Sequence, residues 1–387
     1  MNQKELEIYI HIPFCIKKCS YCDFLSAPAT EQTVESYMAA LFAEIGGRAK
    51  DYSDRTVTSI FIGGGTPSLL SGEQIGQLMD RIREQFAMAQ DAEITMEVNP
   101  GTASAEKLRN FYTAGINRLS IGMQSAQAEE LKNLGRIHDF EGFCQVYREA
   151  VEAGFTNINV DIMSGLPGQT LASYRDTLEK VLHLEPMPQH ISAYSLIVEE
   201  GTPFAAMAER GELPLPEEET ERAMYEETIE VLAKYGFHRY EISNYARDGY
   251  ECRHNVGYWI RRDYLGFGIG AASLIDNVRF QNEKSLGTYL AHPLESREEE
   301  QTLTVQDRME ETMFLGLRLT RGVSCVDFAE QYGRTVEEVY GEVIARNVAD
   351  GLLTVTERKE NQKKDRFLAL TKRGLDLSNY VMAQFLF

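Results

Sequence analysis

"HIPFCIKKCSYCDF" runs from His11 to Phe24 and sets Cys15, Cys19 and Cys22 close together in a chain with six cysteines in all. The segment that precedes it, EIYIHI (Glu7–Ile12), is short, β-branched and aromatic, and reads as a first strand. The cysteines therefore lie on the loop that leaves that strand. A thiolate is a soft ligand suited to zinc or to iron–sulfur clusters. Structural zinc normally takes four protein ligands in two separated pairs, and no fourth Cys or His follows closely here. Three thiolates can instead hold three irons of a 4Fe–4S cube and leave the fourth open. Zinc and plain structural cysteines are the competing readings.

Further strand-like runs follow at Val57–Ile62, Glu93–Val98, Arg118–Gly122, Asn157–Ile162 and His190–Leu196. Amphipathic stretches separate them, among them Glu35–Ala49, Gly72–Phe86, Ala105–Ala114, Phe140–Ala153 and Leu171–Leu184. This alternation predicts a parallel sheet with helices outside, as a barrel or an open doubly wound sheet. No GxGxxG follows the first strand, so the usual dinucleotide-binding mark is missing. The pattern changes at ERGELPLPEEE, which reads as a connector. Glu218–Tyr235 is a predicted helix, and Tyr240–Tyr245 and the glycine-rich Tyr264–Ser273 read as strands or tight turns. From about Val305 helices precede a strand pair at Leu353–Thr356 and Arg366–Leu370, which suggests a small winged-helix-like module. The expected divisions are 1–215, 216–300 and 301–387.

The net charge of the 387 residues is −20, which disfavours nucleic acid as a partner. Residues 305–387 carry 12 Lys and Arg against 13 Asp and Glu, so the last module offers no basic DNA-reading face. The N-terminal residues lack the pattern of a signal peptide, and no run reaches the ~18 apolar residues of a membrane span. The expected location is the cytoplasm, where thiols stay reduced.

CxxxCxxC with an aromatic, Tyr21, before the last cysteine resembles the radical S-adenosylmethionine (SAM) superfamily. That resemblance implies an α/β fold: a partial (β/α)6 TIM-like barrel, with the cluster loop after the first strand and a smaller C-terminal α+β domain. It implies a 4Fe–4S cluster on Cys15, Cys19 and Cys22. The open iron would be chelated by SAM, whose reductive cleavage yields a 5′-deoxyadenosyl radical. FIGGGTPSLL (Phe61–Leu70) suits close backbone approach to a ligand. By resemblance its Gly64, Gly65 and Thr66 hold the methionine end of SAM. Glu97 in MEVNPG ends the third strand, on the face where barrel chemistry gathers. Gln124, Arg136 and Asp161 follow in the order found in the subfamily of oxygen-independent coproporphyrinogen III oxidase (HemN). There Tyr9, Tyr21, Gly64, Glu97, Gln124, Arg136, Asp161 and Ser195 match SAM-lining positions. The residues name no catalytic group.

Two features depart from the oxidase. It carries a fourth cysteine two residues after the third, where this chain has Phe24, and it carries an N-terminal extension ahead of its cluster loop. A third feature points elsewhere. ECRHNVGYW (Glu251–Trp259) contains an HNxxYW motif and the single tryptophan of the chain. It is similar to the haem-chaperone (HemW) branch of the same family. An imidazole or a thiol can ligate haem iron, and aromatic rings can stack on a macrocycle. Cys252, His254, Asn255, Tyr258 and Trp259 are therefore the candidate haem residues; packed structural residues are the competing reading. The resemblance implies a haem chaperone that binds haem or a related tetrapyrrole and passes it to an acceptor protein, with an electron donor for the cluster. The other expectation is oxidative decarboxylation of porphyrinogen propionates.

Overall fold

The computed structural model describes residues 4–295, 297–360 and 363–386. Six strands, β1 (Lys4–Ile12), β2 (Arg55–Gly64), β3 (Ala87–Val98), β4 (Arg118–Gln124), β5 (Ile158–Ser164) and β6 (His190–Ser195), pair in chain order and in parallel. The connections carry α1 (Glu31–Arg48), α2 (Gly72–Gln85), α3 (Ala105–Thr113), α4 (Ala128–Leu134), α5 (Phe140–Glu152) and α6 (Leu171–Leu182). The helix starts are written locally. Thr30, Ser71, Ser104, Asp139 and Thr170 each accept a backbone N–H of the first turn, and Ser71 and Thr170 complete capping boxes.

Alternation sorts the strand residues between two faces. Ile8, Ile10, Ile60, Ile62, Met96, Leu119, Ile121 and Val160 are buried in one hydrophobic core with the inner faces of the helices. The opposite face is polar and arranged in layers by the strand register. Glu7 aligns with Ser59, and Ser59 with Glu93. Tyr9 aligns with Phe61, and Phe61 with Thr95. His11 aligns with Gly63, Glu97 with Ser120, and Gly122 with Asp161. Successive layers are two residues apart, or ~6.6 Å along the strands. A polar barrel interior of this kind is a binding cavity with its floor and its walls supplied by different layers.

Beyond β6 come α7 (Pro203–Glu209), α8 (Glu218–Lys234), β7 (His238–Arg239), β8 (Asn244–Ala246) and α9 (Arg253–Trp259). Of Tyr240–Tyr245, read as a strand or tight turn, Tyr240–Ser243 form the connection between β7 and β8 and only Asn244 and Tyr245 are in a strand. The chain then returns to the other edge of the sheet. β9 (Tyr264–Phe267) runs parallel to β1, and β10 (Ala272–Ile275), β11 (Val278–Asn282) and β12 (Arg297–Thr302) extend it antiparallel, with α10 (Leu286–Ala291) between the last two. The sheet of the described residues has 12 strands.

The C-terminal elements are α11 (Val305–Gly316), β13 (Val323–Ser324), α12 (Cys325–Tyr332), α13 (Val336–Ala349), β14 (Leu353–Glu360), β15 (Lys363–Leu370), α14 (Lys372–Asp376) and α15 (Ser378–Ala383). β13, β15 and β14 form a small antiparallel sheet. Met313, Leu317, Phe328, Leu368 and Phe385 centre its own hydrophobic core. Among the described residues no helix is long and apolar enough to cross a membrane.

Candidate functional site

The cysteine loop is closed on itself and stitched to its surroundings. Cys15 N–H donates to Ala27 O at 3.1 Å, and Ala27 N–H to Pro13 O at 2.9 Å. Ser20 N–H reaches Leu134 O at the end of α4, and Ser20 O accepts from Phe204 N–H of α7. The His11 ring, facing inward from β1, lies 2.8 Å from Leu25 O. Gly65 N–H and Thr66 N–H donate to Ile12 O and Phe14 O at 2.8 and 2.7 Å, so the glycine loop after β2 and the cysteine loop are one hydrogen-bonded unit.

Glycine is required there. A Cβ on Gly65 would stand 2.7 Å from Phe14 O and 2.9 Å from Ile12 O. Gly64 holds φ at 109° with the His11 ring where a Cβ would point.

Cys15, Cys19 and Cys22 line one cavity of about 200 Å³ at the C-terminal ends of the strands. Among the described residues no three Cys, His, Asp or Glu side chains converge on a point that one metal ion would fill. Three thiols lining one cavity can hold three irons of a polynuclear cluster. Thr66 Oγ1 lies 3.4 Å from Cys15 Sγ, and Arg136 Nη1 lies 3.9 Å from Cys19 Sγ. Both are positioned to stabilise thiolate charge. Burial pushes the Cys22 thiol up, opposed by the Phe24 backbone and the Lys18 ammonium.

The same cavity is lined by Tyr21, Gly64, Gly65, Thr66, Glu97, Gln124, Arg136 and Asp161. Glu97 Oε2 accepts from Gly64 N–H at 3.1 Å. Burial, with Asp161 nearby, pushes Glu97 up to about 8. Asp161 accepts from Ser120 and from Asn159 and is raised by burial too. Gln124 adopts φ of 69°, and its buried Oε1 has no partner; Arg136 Nε is likewise buried and unpartnered. Orphaned polar atoms and carboxyls whose pKa values burial raises are what a pocket shaped for a polar, partly cationic ligand presents. The residues present therefore fit SAM on a cluster.

Two sequence-derived positions lie elsewhere. Tyr9 lines a second cavity of about 390 Å³, which shares Gly64, Glu97 and Phe24 with the first. Ser195 is exposed, with its hydroxyl 3.1 Å from that of Ser164, and lines neither cavity. Sequence reasoning missed Ser120, Tyr194 and Lys17 in the first cavity and His11 in the second. Period-two counting from Gly122 and from Tyr9 would have found Ser120 and His11.

The HNxxYW segment is helix α9, and it fills the barrel interior below the cavities. Cys252 and His254 are 0 % and 1 % exposed. Cys252 Sγ lies 3.5 Å from Glu93 Oε1, and Glu93 also accepts the backbone N–H groups of Arg253 and His254. His254 Nδ1 lies 2.8 Å from Ser59 Oγ, and its ring stacks on Phe61 at 5.3 Å. Burial pushes His254 down to about 3 and the Cys252 thiol up to about 12. Neither side chain reaches either of the two cavities. Asn255 is half-buried on the same helix. Tyr258 lines the second cavity. Trp259 faces the C-terminal core, with Arg318 4.3 Å above its ring.

The family model of the radical SAM superfamily matches residues 9–181, and that of the HemN C-terminal domain matches residues 303–377. The haem chaperone HemW of Bacillus subtilis is 39% identical over 385 residues, covering 98% of each chain. That of Escherichia coli is 37% identical over 358 residues, covering 90% of this chain and 92% of its own. The solved structure of coproporphyrinogen III oxidase (HemN) from Escherichia coli, a radical SAM enzyme, superposes with a TM-score of 0.84 at 28% identity. It covers 99% of this chain and 90% of its own.

Proposed function

The chain belongs to the HemW family of radical SAM proteins, and from that premise we propose that it is a haem chaperone. It binds haem as cargo and delivers it to an acceptor protein. The end-to-end similarity to haem chaperones carries this reading, and Phe24 in place of a fourth cysteine supports it. We assign residues 1–215 to the barrel, 216–300 to its extension with α9, and 301–387 to the C-terminal domain. The six free cysteines, three of them needed as thiolates, favour a cytoplasmic location with an electron donor at hand.

Cys15, Cys19 and Cys22 hold the 4Fe–4S cluster, which supplies one-electron chemistry at a SAM sulfonium. Glu97 and Asp161 receive the cationic part of SAM, and Gly64, Gly65 and Thr66 admit it at backbone distance. Tyr21, Gln124 and Arg136 line the same space, Tyr9 reaches it from the adjoining cavity, and Ser195, which lines neither cavity, stands outside at the end of β6. Cys252, His254 and Asn255 serve haem binding by building the interior on which the cavities rest, because the thiol and imidazole are enclosed within it, while Tyr258 lines the second cavity and Trp259 joins α9 to the C-terminal domain.

A second reading, oxidative decarboxylation of a porphyrinogen propionate, is favoured by the full-length superposition on coproporphyrinogen III oxidase. One experiment separates the two. The reconstituted protein is given SAM, a reductant and coproporphyrinogen III under anaerobic conditions, with a parallel haem titration. Saturable haem binding without protoporphyrinogen formation is expected. Multiple turnovers with no haem spectrum would establish the oxidase instead.

A further inference from the structure

The cysteine loop presents an apolar surface that the fold does not need. Ile16 is 53% exposed and Phe24 59%, and both sit on a loop whose backbone is already fixed by hydrogen bonds. The Lys18 ammonium donates to Phe24 O at 2.9 Å and holds that residue in place. Among the described residues Phe24 is the one apolar aromatic ring that lines both cavities. At the same end of the barrel, Ile137 after α4 and Ile197 after β6 are 40% and 67% exposed. Exposed apolar surface beside a pocket marks a binding site, and Phe24 is the residue of this set that lines the two cavities.

Charge narrows the occupant. In a chain of net charge −20, Lys17 and Lys18 are the only Lys or Arg between Lys4 and Arg48, and they stand on this loop with Asp23 as its one acid. Lys17 lines the thiol cavity together with Phe24. A flat apolar plate next to a cation matches a planar macrocycle that carries carboxylates. We propose that Phe24 and Lys17 form the haem-contacting surface: the Phe24 ring packs on a face of the macrocycle, and the Lys17 ammonium pairs with a propionate. This inference rests on the haem reading above. It places the cargo at the cavity mouth, away from the buried Cys252 and His254. It also gives Phe24 a task at the position where the oxidase has its fourth cysteine.

The test titrates the full-length protein with hemin and, separately, with hemin dimethyl ester, following the Soret band. Phe24→Ala and Lys17→Glu should each weaken hemin binding by about tenfold, the size expected for losing one aromatic contact or one charged pair. Phe24→Trp should restore it. The ester should bind the unaltered protein more weakly than hemin and be indifferent to Lys17→Glu. If the unaltered protein binds hemin while both variants match it, the inference fails and the chaperone reading stands. If the unaltered protein binds no hemin, both fail. Should Phe24→Ala not fold, the ester comparison decides alone, since equal affinity for ester and free acid removes the propionate contact. A Lys17→Glu variant that binds hemin normally but accepts electrons more slowly would assign the loop to an acidic electron-donor protein, and overturn the proposal.

Discussion

The hydroxyl of Tyr258 stands 3.2 Å from Nε2 of His254, and through this pair α9 joins the deepest polar layer of the barrel to the second cavity. His254 belongs to the layer of Glu7, Ser59 and Glu93, whereas Tyr258 reaches the space under Tyr9 and Glu97. The histidine thus acts through the tyrosine, as a positioning residue.

Replacing that imidazole removes its packing on Phe61 and leaves Ser59 and Tyr258 without their common partner. His254→Ala should therefore cost about 3 kcal/mol of stability, combining a cavity with two lost hydrogen bonds. Tyr258→Phe removes one hydrogen bond and should cost about 1 kcal/mol. Denaturant unfolding of both variants checks this. Equal stability of His254→Ala and the parent protein would show that α9 is not anchored as described.

Glu97 gives SAM binding a defined pH dependence. In the free site its carboxyl is pushed up to about 8 by burial, with Asp161 adding to the effect. A cationic ligand favours the carboxylate and lowers that value in the complex. Binding then expels a proton, so SAM affinity should rise with pH up to about 8 and level off above it. Calorimetry in buffers of different ionisation enthalpy reads the released proton. Glu97→Gln should abolish both the slope and the proton release; a slope that survives the substitution places the titrating group elsewhere.

The two loops stand or fall together at Gly65. Adding a methyl forces carbonyl oxygens at 2.7 and 2.9 Å to move, and they are backbone atoms of Phe14 and Ile12. Gly65→Ala should displace the cysteine loop and cost about 2 kcal/mol. Gly76→Ala is the control. It lies inside α2 with nothing within 4 Å of the new carbon, and should gain about 0.5–1 kcal/mol. Melting temperatures that move in the same direction for both would contradict the close approach.

Much of this site is written where a strand ends. CxxxCxxC, GGGTP, MEVNP and VDIMSG announce themselves because each couples a strand to residues of unusual type, and the period of two assigns their faces. What the chain conceals is where distant segments meet. HNVGYW reads as a haem-binding segment or as packed structural residues, and nothing in its pattern decides between the two. Only the return of the chain across the sheet, from β8 to β9, places it inside the barrel against Glu7, Ser59 and Glu93. β9 itself, YLGF, carries too little pattern to reveal that it extends the parallel sheet beside β1. Ser195 shows the converse: its position in the motif order puts it at the ligand, but its side chain turns to Ser164.

The central claim is that three thiolates on one loop hold a 4Fe–4S cluster with an open iron, and elemental analysis of anaerobically prepared protein tests it most directly. The parent chain should contain about four iron and four acid-labile sulfide per molecule, with SAM altering the electron paramagnetic resonance of the reduced cluster. Cys19→Ala should lose the iron and the broad brown absorption. Zinc in place of iron, or a Cys19→Ala protein that keeps its full complement of iron and sulfide, would contradict the assignment.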